Sequence, residues 1–576
     1  MMDEKHNRVM ILGLDGATLD LIRPWAEAGI LPTFQKLMRE GAWGLLRSTM
    51  PPVTPAAWSS FITGMNPGKH GVFDFTARKQ ESYDTYIVES NVRQAPSLWQ
   101  LASRAGKRVI VYNVPMTYPP ERVNGLMVSG LLTPDTAKDA SYPPELQKEL
   151  EELIPGLVLS GHPLFHHGGE KEFMRDLLET HDQNFRAARY LMDRQPWDLF
   201  VVVFQHTDTM GHFMWKHMEN GGAGLPESDR VIAANAIRDC YRDVDAKLGQ
   251  LIEAAGEDTH VIIMSDHGLG SLSWYFAVNT WLLQKGYIKL KRDTFTRLKY
   301  LIYRLGLTPE LAFRVMLKLG LAGRIQPTGD AREKPTRQRL KRFFLSFEDI
   351  DWSRTRAYSR GYCGPVFLNV KGRELQGMVE PGKEYDELLN EIISDLATVK
   401  EPSTDSPLFP EIHRGHDIYS GPFADRGPDL LFFPRDWKYS AYGRREFLEK
   451  NSLTPMRDNG SKINSLMQML EPYSGTHRMD GILFFSGPGV RENFEIADAS
   501  LLDIAPTALA LLGVPVPEDM DGQVLKSALR PELQEQLDIT YAGADGSKPE
   551  LQPVADMSPE DEVILLARLR NLGYVD

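Results

Sequence analysis

The sequence has little cysteine, no long apolar run and no excess of positive charge. Only Cys240 and Cys363 occur in 576 residues, which excludes a disulfide framework and a thiolate metal cluster. No window of about 18 apolar residues is present, so no segment is predicted to span a membrane. The net charge of −13 argues against bulk nucleic-acid binding. The N-terminal apolar run soon reaches Asp15 and indicates a buried strand rather than a signal peptide, which favours a cytoplasmic protein.

Short apolar runs alternate with helical patterns along much of the chain. The longest helical pattern covers Asp229–Ala255. This alternation predicts an α/β domain, a three-layer α/β/α sandwich around a mostly parallel sheet, in which ligands bind at the carboxyl ends of the strands. The runs that we interpret as buried strands are Val9–Leu14, Val109–Tyr112, Leu199–Phe204, Val261–Met264 and Ile482–Phe485.

Residues 289–470 interrupt this pattern and are predicted to form an inserted α+β cap domain. Two amphipathic helices joined at Leu307–Pro309 open it, and PVFLNVKGRE and DLLFFP are its strand candidates. Between Lys289 and Arg342 there are 15 Lys and Arg against 4 Asp and Glu, a balance of +11 that leaves about −24 for the remainder. These helices present either a solvated face of the cap or an interfacial surface drawn to anionic lipid. The predicted core comprises 1–288 and 471–535, and 536–576 is a tail with a docking helix.

Aspartate and histidine residues follow the predicted strands. A lone aspartate after a strand is more often a helix cap, and DHG alone is usually a turn. Four such motifs in one α/β chain favour a metal site, and mixed carboxylate and imidazole ligands suit zinc or manganese. The candidate ligands are Asp15 in GLDG, Asp208 and His212 in DTMGH, Asp266 and His267 in SDHG, and His477 in GTHR.

This order of motifs resembles the alkaline phosphatase superfamily. Within it, the chain is most similar to the type I phosphodiesterase/nucleotide pyrophosphatase branch and its bacterial phosphohydrolase and phosphomutase relatives. The resemblance covers residues 9–290 and 471–525, and DIAPTALALLGVPVPEDMDG is similar to a closing segment of sulfatases and phosphoglycerate mutases. It implies an alkaline-phosphatase-like fold and two divalent ions about 4 Å apart, zinc or alternatively manganese. One ion would be held by Asp208, His212 and His477, and the other by Asp15, Asp266, His267 and the oxygen of the nucleophile.

The same resemblance selects one of the four hydroxyl groups in TPAAWSSFITG. In the family, a Thr-Gly pair follows the nucleophilic threonine, with the Thr nine residues and the Gly ten residues after it, and a His-Gly pair comes later. Thr54 stands at those intervals, so the resemblance implies that Thr54 is the nucleophile and a metal ligand, and that it forms a phospho-threonine intermediate. The segment lacks the pattern of sulfatases, in which Cys or Ser is followed by x-Pro-x-Arg. The other hydroxyls are interpreted as packing groups on a helix: Ser59, Ser60 and Thr63.

The sequence departs from the family at one position. A phosphate-binding Asn of nucleotide pyrophosphatases would fall at Phe75, so nucleotide preference is not implied. Lys69 and Arg478 are candidate replacements, with a plain surface charge as the alternative for each. His70 and His206 lie close to the motifs but off the ligand positions.

Three functions remain open from the sequence. The first is a metal-dependent phosphohydrolase that acts on a phosphodiester or phosphomonoester of a small molecule. The second is a phosphomutase that uses residues 289–470 as a lid to exclude water. The third is a non-catalytic scaffold whose basic helices contact a membrane or a partner. The oligomeric state is not predicted.

Overall fold

The computed structural model describes residues 7–79, 81–134, 137–159, 163, 165, 168–318, 344–435, 437–443, 447–455, 473–553 and 557–571. The strands are, in chain order, β1 (Arg8–Leu14), β2 (Ala42–Arg47), β3 (Thr76–Arg78), β4 (Thr85–Ile87), β5 (Val109–Val114), β6 (Gly125–Ser129), β7 (Ser141–Tyr142), β8 (Leu199–Phe204), β9 (Thr259–Met264), β10 (Gly268–Ser271), β11 (Trp274–Ala277), β12 (Ala357–Ser359), β13 (Gly361–Tyr362), β14 (Val366–Leu368), β15 (Glu411–Arg414), β16 (Leu430–Phe433), β17 (Tyr439–Gly443), β18 (Leu453–Pro455), β19 (Gly475–Arg478), β20 (Asp480–Ser486), β21 (Phe494–Ser500), β22 (Val516–Pro517) and β23 (Tyr541–Ala542).

The helices within these ranges are mostly short, and none combines the length and apolar character needed to cross a membrane. In chain order they are α1 (Leu19–Glu27), α2 (Pro32–Glu40), α3 (Thr54–Thr63), α4 (Pro67–His70), α5 (Leu98–Arg104), α6 (Glu145–Leu153), α7 (Glu170–Arg194), α8 (His206–Asn220), α9 (Glu227–Ala255), α10 (Val278–Lys285), α11 (Thr294–Arg304), α12 (Pro309–Lys318), α13 (Lys383–Ala397), α14 (Gly415–Ile418), α15 (Ile504–Leu511), α16 (Pro531–Gln536) and α17 (Pro559–Asn571).

A nine-stranded sheet forms the centre of the fold, in the order β21-β2-β20-β9-β1-β8-β5-β6-β7. The strands β9, β1, β8, β5 and β6 are parallel neighbours. Among the described strands of this sheet, only β20 and β7 run against the common direction. The mostly parallel sheet is confirmed, and the five predicted strands coincide with β1, β5, β8, β9 and β20.

Helices cover both faces of this sheet. Met10 and Leu12 of β1 point into one hydrophobic core with α2, α7 and α9, whereas Val9 and Ile11 point into another with α3, α5 and α15. Successive residues of a strand face opposite sides of its sheet, so a strand that is apolar throughout needs cover on both faces. The three-layer α/β/α sandwich is therefore confirmed.

A third hydrophobic core belongs to the α+β insert. Its apolar side chains come from α10, α13, β14 and β16, and the strands form two four-stranded sheets, β13-β17-β11-β18 and β12-β14-β16-β15. The two predicted helices are α11 and α12, and the two strand candidates contain β14 and β16. Because β11 pairs with β17 and β18, this packing includes residues that precede position 289. The domain boundaries themselves stay a prediction.

Candidate metal and phosphoryl-transfer site

The carboxyl ends of β8, β1 and β9 lie side by side, because these strands are parallel neighbours. Asp15 follows β1, and Asp266 and His267 follow β9. Helix α8 begins two residues after the end of β8 and carries Asp208 and His212. All five side chains are buried. The parallel sheet thus brings together residues that are distant in the chain, as in the 3.2 Å hydrogen bond from the amide of Gly16 to Asp266 Oδ1, 250 positions later.

Asp208, His212 and His477 form one compact group. His212 Nε2 lies 3.2 Å from Asp208 Oδ1 and 3.1 Å from His477 Nε2, and His477 Nε2 lies 3.6 Å from Asp208 Oδ1. Asp208 and His212 are four residues apart on α8, which places them on the same side of the helix. His477 enters on β19, where it pairs with Leu269 of β10. This is the group assigned to one metal ion from the sequence.

Asp15, Asp266 and His267 form a second group next to the first. His267 Nε2 lies 3.2 Å from Asp266 Oδ2, 3.7 Å from Asp15 Oδ1 and 3.5 Å from Thr54 Oγ1. The ligand atoms of these two carboxylates and His267 lie within 4.8 Å of one another. The ring of His267 also stacks on that of His477, with 3.6 Å between the ring centroids. His267 therefore lies at the border between the two groups.

Each of the three imidazole rings directs its Nδ1 at a backbone carbonyl. A carbonyl can only accept a hydrogen bond, so Nδ1 carries the proton in each ring and Nε2 keeps its lone pair. The Nε2 lone pairs of His212 and His477 then face each other, an arrangement that a cation between them would stabilise. The distances are 2.9 Å from His212 to Gly475 O, 3.1 Å from His267 to Gly268 O and 2.8 Å from His477 to Pro52 O.

The three carboxyl groups are strongly perturbed. Burial, and then the neighbouring Asp266 and Asp208, raise the pKa of Asp15 well above its ordinary value. Burial also raises the pKa of Asp266 to about 6. At Asp208 burial raises the pKa, but the positive charge that His212, His477 and His267 carry when protonated outweighs burial, so the pKa lies below the ordinary value. Asp15 Oδ1 and Asp266 Oδ2 are buried without a hydrogen-bond partner among the described residues. Such carboxylates are costly unless they are paired or bind a cation, so this donor set fits divalent metal ions.

Thr54 is the first residue of α3 and its side chain is buried beside the second group. Trp58, one turn later, donates from Nε1 to Asp15 Oδ2 at 3.3 Å, which ties the helix to the cluster. Two other hydroxyls of α3 form hydrogen bonds within the fold. Ser60 Oγ pairs with His70 Nε2 at 2.8 Å, and Thr63 donates to a backbone carbonyl of the preceding turn at 2.8 Å.

Most of the chain matches one protein family. The family described as type I phosphodiesterase/nucleotide pyrophosphatase matches residues 9–446. The chain belongs to this family. It is a phosphoric ester hydrolase of the phosphodiesterase/nucleotide pyrophosphatase type, in the alkaline phosphatase superfamily, as the order of its motifs predicts. Such enzymes depend on divalent metals, in agreement with two overlapping donor clusters whose ligand atoms lie within 4.8 Å of one another: Asp208, His267 and His477, and Asp15, Asp266 and His267. No curated protein sequence matches the chain.

Solved structures of two members are similar to the chain. Human ectonucleotide pyrophosphatase/phosphodiesterase 5 is 13% identical, with a TM-score of 0.45 and coverage of 91% of this chain and 100% of that chain. The murine protein, solved as an inactive variant in complex with AMP, is 13% identical, with a TM-score of 0.44 and coverage of 88% and 95%.

Lys69 and Arg478, the candidate replacements for the phosphate-binding Asn, are both engaged in contacts with other groups of the protein. Phe75, which occupies the position of that Asn, is fully buried. Lys69 Nζ lies 2.5 Å from Asp521 Oδ1 in the closing segment. Arg478 donates to several backbone carbonyls, among them Trp437 O at 2.5 Å and Ser271 O of β10 at 2.7 Å. These contacts favour a structural role for both cations.

One contact to the site comes from the insert, and no sequence pattern predicts it. The hydroxyl of Tyr362 on β13 accepts a hydrogen bond from the backbone amide of His477 at 3.3 Å and is also bonded to Thr476 Oγ1. The Tyr362 ring packs edge-on against His477, with 4.9 Å between ring centroids. Tyr362 precedes Thr476 by 114 residues, so only the tertiary structure reveals the contact. The position of Trp58 beside the site, by contrast, could be anticipated from the sequence, since Trp58 lies one helical turn after Thr54.

Proposed function

We propose that this phosphodiesterase cleaves a phosphodiester or phosphomonoester of a small molecule through a phospho-threonine intermediate on Thr54. The observation that best supports the proposal is the arrangement of the three imidazoles. Their Nδ1 atoms are occupied by carbonyls, and their Nε2 atoms face three buried carboxylates beside Thr54. A cytoplasmic location stays a prediction from the sequence.

Two divalent cations would outweigh the negative charge of the site. Three carboxylates and three neutral imidazoles carry a charge of about −3, so two divalent cations would leave a positive surplus for a phosphoryl group. Zinc, or alternatively manganese, suits mixed oxygen and nitrogen donors. Bound cations of this kind lower the pKa of a hydroxyl and stabilise negative charge on phosphoryl oxygens. The proposed ligands are Asp208, His212 and His477 for one ion, and Asp15, Asp266, His267 and Thr54 for the other.

Thr54 would act as the nucleophile in two displacements. Its Oγ1 loses a proton and bonds to phosphorus while the bond to the leaving oxygen breaks, and the leaving alkoxide takes up a proton. Water then attacks phosphorus, the bond to Thr54 Oγ1 breaks, and the hydroxyl is regenerated. The position at the start of α3 supports this role, because the unpaired amide N–H groups of a helix N-terminus favour an anionic phosphoryl group.

A phosphomutase is the second candidate, and the burial of the site favours it. A mutase has to keep water away from its phospho-enzyme until the phosphoryl group is returned to another hydroxyl. Thr54 is only 2% exposed, and Tyr362 brings the insert against a candidate ligand. Membership of a hydrolase family argues against the third hypothesis, a non-catalytic scaffold.

The test compares wild type, Thr54→Ala and the control Ser59→Ala, which removes another buried hydroxyl from α3. Bound metal is counted, and hydrolysis of bis-p-nitrophenyl phosphate and p-nitrophenyl phosphate is measured. We expect two ions in wild type. Thr54→Ala should retain most of the metal and lose at least about 10³-fold in kcat. Ser59→Ala should keep the wild-type metal content and the wild-type kcat.

Each alternative gives a different result. A Thr54→Ala variant with nearly the wild-type rate would show that Thr54 is not the nucleophile. Wild type without bound metal would show that the ligand assignment is wrong. Acid-quenched wild type should carry phosphate that Thr54→Ala lacks. If labelled phosphate moves to a second hydroxyl of an added ester instead of to water, the protein is a mutase.

A further inference from the structure

The first helix of the insert, α11, buries its polar side. Thr296, Lys299 and Tyr303, which share one face of the helix, are buried. Lys299 Nζ lies 2.9 and 3.0 Å from the two carboxylate oxygens of Asp349, and the Tyr303 hydroxyl donates to Glu449 O at 2.9 Å. Lys and Asp are rarely buried unless they are paired, so this ion pair fixes which side of α11 faces the protein.

The opposite side of α11 is apolar and points outward. Side chains that follow one another at intervals of three or four residues are 53–69% exposed, and the surface continues to the start of α12. A surface helix ordinarily turns its apolar stripe toward the core, and α11 does the reverse. A contiguous apolar patch at the surface is typical of an interaction site. We call this patch the outer apolar face, and it comprises Phe295, Leu298, Leu301, Leu305, Leu307 and Leu311.

Basic side chains accompany the outer apolar face. Arg292, Arg297 and Arg304 are exposed, and residues 289–318, the part of the 289–342 segment that the structure describes, hold 8 Lys and Arg against 2 Asp and Glu in a chain of net charge −13. A symmetric contact with a second copy of the chain would place two basic surfaces against each other, which is unfavourable. An anionic surface with an apolar interior satisfies both features, since apolar side chains insert while basic ones meet the headgroups.

We propose that α11 and α12 form a docking surface for membranes that contain anionic lipid. The helices have 11 and 10 residues, which is too short to cross a bilayer, so they lie in the plane of the interface. The outer apolar face enters the boundary between headgroups and acyl chains. The arginines remain at the level of the lipid phosphates, and the Lys299–Asp349 pair holds α11 in this orientation.

Vesicle flotation of the full-length protein tests the proposal. One vesicle preparation is phosphatidylcholine alone, and the other is phosphatidylcholine with three parts in ten of phosphatidylserine. We expect wild type to float with the anionic vesicles and to remain below with the neutral ones. Raising the salt to about 1 M, where the Debye length falls to about 3 Å, should release most of the bound protein.

Two double variants separate the apolar and the electrostatic contributions. Arg292→Gln with Arg297→Gln should lower the partition coefficient roughly 30-fold, because each basic residue contributes a factor of about five. Leu298→Ser with Leu301→Ser should lower it at least about tenfold.

The matched control carries Leu45→Ser and Leu375→Ser, which change leucines that are 52% and 56% exposed elsewhere on the protein. It should float like wild type. All three double variants should keep the wild-type melting temperature and rate on a soluble nitrophenyl ester.

Two results would overturn the proposal. The first is an absence of salt-sensitive flotation of wild type with anionic vesicles. The second is equal flotation of wild type and the Leu298/Leu301 variant. If that variant also changes from oligomer to monomer, the outer apolar face is assigned to self-association.

Discussion

Replacement of Gly16 by alanine tests how closely β1 and α8 approach each other at the metal site. Gly16 follows Asp15 and has a φ of +64°, in the left-handed region that favours glycine. A Cβ at this position would lie 2.7 Å from Asp208 Oδ1 and 2.9 Å from Asp208 Cβ. Contacts this short do not persist, so alanine must displace Asp208 and the first turn of α8.

The expected loss of stability on replacing Gly16 by alanine can be separated into two parts, because Gly29 supplies a control. Gly29 has a φ of +73° and open space where a Cβ would lie. Alanine at Gly29 should lower the free energy of unfolding by about 1 kcal/mol through backbone conformation alone. At Gly16 the same backbone cost is joined by about 1–3 kcal/mol of overpacking, so we expect about 2–4 kcal/mol in total.

Urea unfolding and metal titration of both variants measure these effects. If Asp208 is a ligand, Gly16→Ala should also bind one of the two ions about 10–100-fold more weakly, with a matching fall in hydrolysis. Gly29→Ala should bind both ions and keep the wild-type rate. Equal unfolding free energies for the two variants, with unchanged metal content in both, would refute the close packing of Gly16 against Asp208.

Two further predictions concern the insert and a half-buried acid. Tyr362→Phe keeps the ring but removes the hydroxyl that accepts from His477, so metal affinity should fall about tenfold in a chelator competition; unchanged affinity would contradict the contact. Burial raises the pKa of Asp74 to about 7, so the native state binds a proton that the unfolded chain releases above about pH 4. Protonated Asp74 contributes its full stabilisation below pH 4. As the pH rises toward 7 this contribution is lost, and the free energy of unfolding falls by about 2 kcal/mol for this partly exposed group. Asp74→Asn should therefore gain stability relative to wild type between pH 5 and pH 8, and a constant difference in urea unfolding would exclude this titration.

The sequence predicts the central sheet and the candidate ligands for the same physical reason. Strands buried on both faces are apolar throughout, so runs such as Val9–Leu14 and Leu199–Phe204 are distinct from the helices between them. Polar residues directly after such runs are conspicuous, and parallel strands bring their carboxyl ends to one edge. Asp15 and Asp266 can therefore be expected close together without any knowledge of the loops.

The orientation of α11 could not be predicted in this way. Helical periodicity identifies an apolar stripe, but it does not show whether that stripe meets the core or the solvent. The decisive contact is the buried pair between Lys299 and Asp349, whose partners are 50 residues apart. The contact of Tyr362 with His477 is hidden for the same reason, since it joins two segments that no local pattern relates.

The length of the insert does not disturb the site, because the chain returns beside the point at which it left. His267 is followed at once by β10, and the antiparallel pairing of β10 with β19 sets Leu269 opposite His477, 210 residues after His267. The entropy of closing a loop grows only slowly with its length, so this pairing tolerates a large insertion. The positions of the ligands are thus set by the sheet and by one short hairpin-like pair of strands. The insert can change without moving them, and Tyr362 is one contact, among the described residues, through which such a change would reach the site.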